Sequence, residues 1–231
     1  MALPIFDAPR YTLTLPSSGE RIEYRPFVVK EQKQLLMATQ ASLEEQIMAI
    51  NRIIEACTFG KVRTARLPAF DVEYMFLQIR ARSVGEVVDM VLTCECEAKQ
   101  DTKLDIAAVE VNKPEGHVTE IEVGSDVMVV MRYPTLEELE LLGTDQSVDS
   151  IIRVIARSIE SIWQGDQMYA TTDYSEAELI EFVENLSPTG LEKMENFFAT
   201  MPVLQHILEW DCDACGKHNA VRLEGVQSFF A

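Results

Sequence analysis

Four of the five cysteines fall in two short clusters, Cys94-Glu95-Cys96 and Cys212-Asp213-Ala214-Cys215. Thiolates this close along a chain can face one metal ion only if the backbone turns sharply between them. Gly216, directly after the second cluster, permits such a turn. Cys-x-x-Cys-Gly is the pattern of half a zinc ribbon; Cys94-x-Cys96 is one residue shorter than the usual spacing. The chemistry expected is structural: Cys94, Cys96, Cys212 and Cys215 as four thiolate ligands of one zinc ion, with His218 as a substitute ligand. A closed four-sulfur site leaves no open position for a substrate. The alternative is four free thiols on two hairpins. Cys57 lies in an apolar helical stripe and reads as a small core residue.

Other chemistry has little support. The three histidines are His117, beside Gly116, His206, just before a strand, and His218. No serine or cysteine nucleophile has a histidine in a recognisable local motif, and there is no glycine-rich phosphate loop and no His-Glu-x-x-His helix. The abundant carboxylates fall mostly on polar helix faces. No catalytic residue and no organic cofactor is expected.

Each cysteine cluster needs a hairpin to carry it. Residues 87–92 and 207–210 read as incoming strands, and residues 104–111 and 220–223 as their returns. Upstream of each knuckle the chain follows a similar plan. Residues 11–16 and 21–27 form a hairpin that ends at Pro26 and leads into a helix over 29–39. Residues 120–123 and 127–133 form another, ending at Pro134. Pro26 and Pro134 are 108 positions apart, and Cys94 and Cys212 are 118 apart. Nearly equal offsets suggest one unit used twice with a small insertion in the second copy. The alternative is the ordinary alternation of hairpins and helices in α+β chains.

Between these landmarks, Ser42-Leu43-Glu44-Glu45 is a capping box before an amphipathic helix bearing Ile47, Ile50, Ile54 and Cys57. Asp71 is expected to cap a helix running to about Arg82. In the second half, Thr135 opens another capping box, residues 148–161 read as one amphipathic helix, and Gly165-Asp166 as a tight turn. Ser175 and Pro188 begin two further helices. The expected fold is α+β: two pseudo-repeated units, each a β-hairpin followed by helices and closed by a zinc-ribbon-like cysteine hairpin. Lys113-Pro114-Glu115-Gly116 divides them into residues 1–112 and 113–231, two units that could also form one compact domain.

Of the 231 residues, 47% are apolar, enough for a core, and no apolar run reaches bilayer-spanning length. The first ten residues lack the basic-then-apolar order of a signal peptide, so a cytoplasmic setting, or a particle assembled there, is expected. A net charge of −18 argues against nucleic-acid or anionic-membrane binding, which needs clustered Lys and Arg. It suits a merely soluble surface or a basic protein partner. Phe229-Phe230 near the C-terminus either pack back on the body or anchor a partner.

The chain resembles the baseplate-hub proteins of T-even-type contractile-tailed phages, a group with a hub subunit and a hub assembly factor. The resemblance runs through Tyr24-Arg25-Pro26-Phe27, Cys57-Thr58-Phe59-Gly60, Leu67-Pro68-Ala69-Phe70-Asp71, Phe197-Phe198, Met201-Pro202 and Cys212-Asp213-Ala214-Cys215-Gly216-Lys217. It implies a structural or assembly role in the tail baseplate, contacts with other baseplate proteins, and no catalysis. A hub assembly chaperone absent from the mature virion is the alternative. A zinc-dependent enzyme and an acidic nucleic-acid mimic are further alternatives.

Overall fold

Alternation of Leu13 and Leu15 with polar neighbours folds the first hairpin, β1 (Tyr11–Thr14) against β2 (Arg21–Tyr24), with Leu13 opposite Ile22. In the computed structural model, which describes residues 8–38, 41–144 and 147–225, helix α1 (Val29–Ala38) follows Pro26. Helix α2 (Leu43–Cys57) opens at the Ser42–Glu45 capping box and buries Ile47, Ile50, Ile53, Ile54 and Cys57. Helix α3 (Ala69–Val84) starts earlier than Asp71, because Pro68 already sets the entry with φ −52°. Asp71 therefore caps nothing in its own helix. Fully buried, it accepts hydrogen bonds from the Ser17 amide (3.0 Å) and hydroxyl, pinning the β1–β2 turn to α3.

Strand β3 (Val87–Thr93) pairs with β4 (Lys99–Asp105) as a two-stranded ribbon. The return thus begins at Lys99, five residues before the expected start at Leu104. Its first residues are polar, so burial does not mark them as strand, and register with β3 does. The residues read as its second half instead make a 3-10 turn (Ile106–Ala108) and a separate strand, β5 (Glu110–Asn112).

Next come β6 (Glu120–Gly124), β7 (Val127–Met131), α4 (Leu136–Thr144) and α5 (Val148–Arg157). Helix α5 stops at Ser158, short of the expected residue 161. Ile159 to Gln164 form β8 (Ile159–Gln164), which pairs with β7 and then with β9 (Gln167–Ala170). An apolar stripe with β-branched residues fits either state, and the free edge of β7 selects strand here. Helices α6 (Glu176–Glu184) and α7 (Pro188–Thr200) complete this part. The four-stranded sheet β6-β7-β8-β9 and its helices bury Val129, Met131, Ile155, Met194 and Phe197.

The last hairpin, β10 (Val203–Asp211) and β11 (His218–Glu224), forms a three-stranded sheet in the order β11-β10-β5. Leu104 of β4, Leu204 of β10 and Leu223 of β11 share a core with Leu77 and Ala81 of α3. Residues Met1–Asn112 and Val203–Ala231 make one compact unit, and Lys113–Pro202 another. The boundary at Asn112 coincides with the turn-rich stretch at Lys113. Residues 203–225, expected with the second half, belong to the first unit, because β10 pairs with β5.

The two halves share local hydrogen bonding. Arg25 donates to Glu31 (3.0 Å) and to the Pro26 carbonyl (2.9 Å), and Glu31 also accepts from the Val28 amide (2.9 Å). Arg132 donates to Glu138 (2.6 Å) and to the Tyr133 carbonyl (3.3 Å), and Glu138 accepts from the Thr135 amide (2.8 Å). In both, the spacing is six residues across a proline at the start of a helix. The Arg25 amide then bonds to Cys57 at the end of α2, and the Arg132 amide to Ser158 at the end of α5.

Candidate metal centre

Both cysteine knuckles close with the same backbone bonds. The Cys94 amide donates to Ala98 and the Glu97 amide to Cys94, each at 2.9 Å. The Cys212 amide donates to Lys217 (2.9 Å) and the Gly216 amide to Cys212 (2.8 Å). The missing residue in the first knuckle is absorbed by the shorter loop. Glu97 (φ 65°) occupies the left-handed position that Gly216 (φ 68°) fills in the second.

The leucine core under the strands sets the knuckles side by side. The Asp213 amide donates to Gln100 across the two hairpins (3.1 Å), and Lys217 pairs with Glu95. All four sulfurs lie within 4.8 Å of one another. Cys94 Sγ is 3.8 Å from Cys215 Sγ, and Cys96 Sγ is 3.7 Å from Cys212 Sγ. A disulfide would need about 2.05 Å. A tetrahedron with metal–sulfur bonds of about 2.3 Å has edges of roughly 3.8 Å, so the observed separations suit four ligands of one ion. Each hairpin gives one buried sulfur (Cys94, Cys212) and one exposed (Cys96, Cys215).

The electrostatics are those of a shared thiolate. The Cys96 amide beside Cys94, with help from the other thiols, brings Cys94 down to about 7. The Lys217 amide would lower Cys215, yet hydrogen bonds from its thiol to Cys96 and Cys212 and partial desolvation push it up to about 12. The Cys94 thiol therefore gives up its proton more readily than the Cys215 thiol. Metal binding at such a site releases protons and is favoured by rising pH. The Lys217 ammonium, held by Glu95, offsets part of the negative charge that four thiolates would carry.

His218 is not among the sulfurs. It stands opposite Asp211 across β10 and β11 and bonds to its carboxylate (2.9 Å). Asn219, which the spacing argument passed over, contacts Cys94 Sγ at 3.6 Å through its amide oxygen. Phe229 and Phe230 lie outside the described residues. Cys57 is fully buried at the end of α2, and desolvation raises it to about 11, as suits an inert thiol. His117 packs against both Tyr133 and Phe197, which also stack on each other, and bonds to Thr200 (3.0 Å); burial holds it below its ordinary value. Among the described residues, no helix is long and apolar enough to cross a membrane.

Comparison with curated proteins and with solved structures finds no match. Comparison with protein families matches residues 8–231 to the T4 bacteriophage base plate protein. With all but its first seven residues aligned, the chain belongs to the T4 bacteriophage base plate protein family.

Proposed function

We propose that this protein is a structural or assembly component of the tail baseplate hub, acting through contacts with other baseplate proteins and without catalysis. The family match over residues 8–231 carries this reading. The four cysteines hold one structural zinc ion in it, supported by sulfur spacings of 3.7 and 3.8 Å. Zinc here clamps β3–β4 to β10–β11. A two-stranded ribbon whose buried side chains are Leu92 and Leu104 has little core of its own, and a metal cross-link supplies what it lacks.

Residues 1–112 and 113–231 are two copies of one unit in this reading. The paired Arg25–Glu31 and Arg132–Glu138 arrangements and the matched knuckle bonds support it. The second copy's knuckle packs with the first copy's, so the cysteine clusters meet. Phe229 and Phe230 anchor a neighbouring protein. Assembly takes place in the host cytoplasm and the product resides in the virion tail.

Mass spectrometry of purified virions, with cross-linking of assembling tails, tests the role. Stoichiometric presence in mature tails beside hub proteins is the expected result. Cross-links to hub proteins during assembly, with absence from mature tails, would replace it with an assembly chaperone. Absence of any baseplate neighbour would overturn both. Deleting residues 229–231 without loss of hub association would remove the anchoring role.

A further inference from the structure

Side by side, the two halves differ by one block. The first runs hairpin, α1, α2, a 3-10 turn and α3. The second runs hairpin, α4, α5, and then β8, β9, a 3-10 turn and α6 before α7. The added strand pair and helix contribute Ile159 and Val183 to the core of this unit and leave an outer face of their own.

That block builds an open apolar groove of about 340 Å³. Seven of its eight lining residues come from Ile162 to Phe182, among them Tyr169, Tyr174 and Leu179. The eighth is Val127 on β7. Tyr174 is 40% exposed at the mouth, its ring 6.4 Å from that of Tyr169. Glu178 sits on the wall. Exposed Asp126 precedes Val127 and lies beside Gly165, next to Asp166.

The charge around the groove is one-sided. The unit Lys113–Pro202 holds 18 carboxylates against 5 basic side chains, a net −13 of the chain's −18. The few cations are committed: Arg132 to Glu138, Arg153 and Arg157 to Glu176, and Lys193 to the Glu122 carbonyl. Among the described residues, no ion pair involves Glu178, Asp126 or Asp166. Glu178 uses one oxygen to cap α6 at Ser175 and leaves the other available.

We infer that the groove between β8–β9 and α6 docks a segment of another baseplate protein that inserts one bulky apolar side chain flanked by Lys or Arg. The volume suits one or two large side chains, the tyrosines supply rigid contact area, and the acidic rim steers and orients a basic segment. This rests on the baseplate reading for the source of the partner.

The test places a photoreactive residue in the full-length protein during tail assembly, as Tyr174→p-benzoylphenylalanine, with Met37→p-benzoylphenylalanine on α1 as a reference. Tyr174 is expected to cross-link to one segment of another phage protein in which Lys or Arg flank a large apolar residue. Combining Glu178→Gln with Asp166→Asn should cut the yield about fivefold while the protein still melts cooperatively, because glutamine keeps the Ser175 cap. Cross-linking to an acidic or uncharged segment, or to a second copy of this chain, overturns the proposal, as does an unchanged yield in the charge variant. Cross-links from Met37 with none from Tyr174 also defeat the groove but spare the baseplate role. None from either position defeats both.

Discussion

Cys94 and Cys215 stand 121 residues apart in the chain and hold their sulfurs 3.8 Å apart. Neither hairpin alone brings more than two thiols together. The leucine core that α3 shares with β4, β10 and β11 makes a four-sulfur site from two incomplete ones.

Protein purified without chelator should contain one equivalent of zinc by elemental analysis. Less than half an equivalent would count against the site. Cys215→Ser should lose the metal and several kcal/mol of stability, within the range that structural zinc contributes to small folds. In metal-free protein, a mild oxidant should give Cys94–Cys215 and Cys96–Cys212 disulfides by peptide mapping, since the sulfurs of these pairs lie only 3.8 and 3.7 Å apart. Zinc should block both.

The two arginine–glutamate caps should differ in weight. Glu31 and Arg25 are 5% and 20% exposed at the side chain, against 13% and 37% for Glu138 and Arg132. Arg25→Met should therefore cost about 3 kcal/mol, because a carboxylate is left in an enclosed site. Arg132→Met should cost about 1 kcal/mol. Equal urea midpoints for the two variants would contradict this ranking.

The same pairs set an acid limit. Burial alone would raise Glu31 and Glu138, but Arg25 with the Val28 amide, and Arg132 with the Thr135 amide, hold both below the usual 4.5. A depressed carboxylate contributes stability that is present above its unfolded value and lost as pH falls through its folded one. Stability should thus decline below about pH 4.5. The double variant Glu31→Gln, Glu138→Gln should be less stable at pH 7 and show a flatter acid limb in pH-dependent melts.

Glu97 adopts a left-handed backbone that its partner position fills with Gly216. Glu97→Gly should raise the unfolding free energy measured in urea by up to about 1 kcal/mol, by relieving a crowded Cβ. Gly216→Ala should lower it by a similar amount. A destabilised Glu97→Gly would mean that its side chain carries a contact worth more than the strain.

Gly190, in the first turn of α7, faces the Val123 carbonyl of β6. A Cβ there would lie 2.9 Å from that oxygen. Gly190→Ala should cost about 1–2 kcal/mol despite alanine's better helix propensity, because a backbone oxygen cannot step aside. Thermal melts of the variant would decide it.

Local order was legible wherever neighbouring residues enforce it. Ser42 with Glu45 and Thr135 with Glu138 form the capping boxes their spacing announces, and Gly165 turns β8 into β9. Errors arose where a distant partner decides. The polar residues 99–103 carry no strand signal until β3 lies beside them, and Ile159 leaves its helix for the edge of β7. Asp71 reads as a cap, but burial turns it toward Ser17.

Residues close along the chain settle the paired thiols, the sharp turn at Gly216 and most of the helix starts, because each depends on side chains within a few residues of one another. Tertiary structure alone decided that the four sulfurs meet and that β5 joins β10. These depend on which apolar faces bury one another across a hundred residues of chain, and a short-range pattern does not encode that choice.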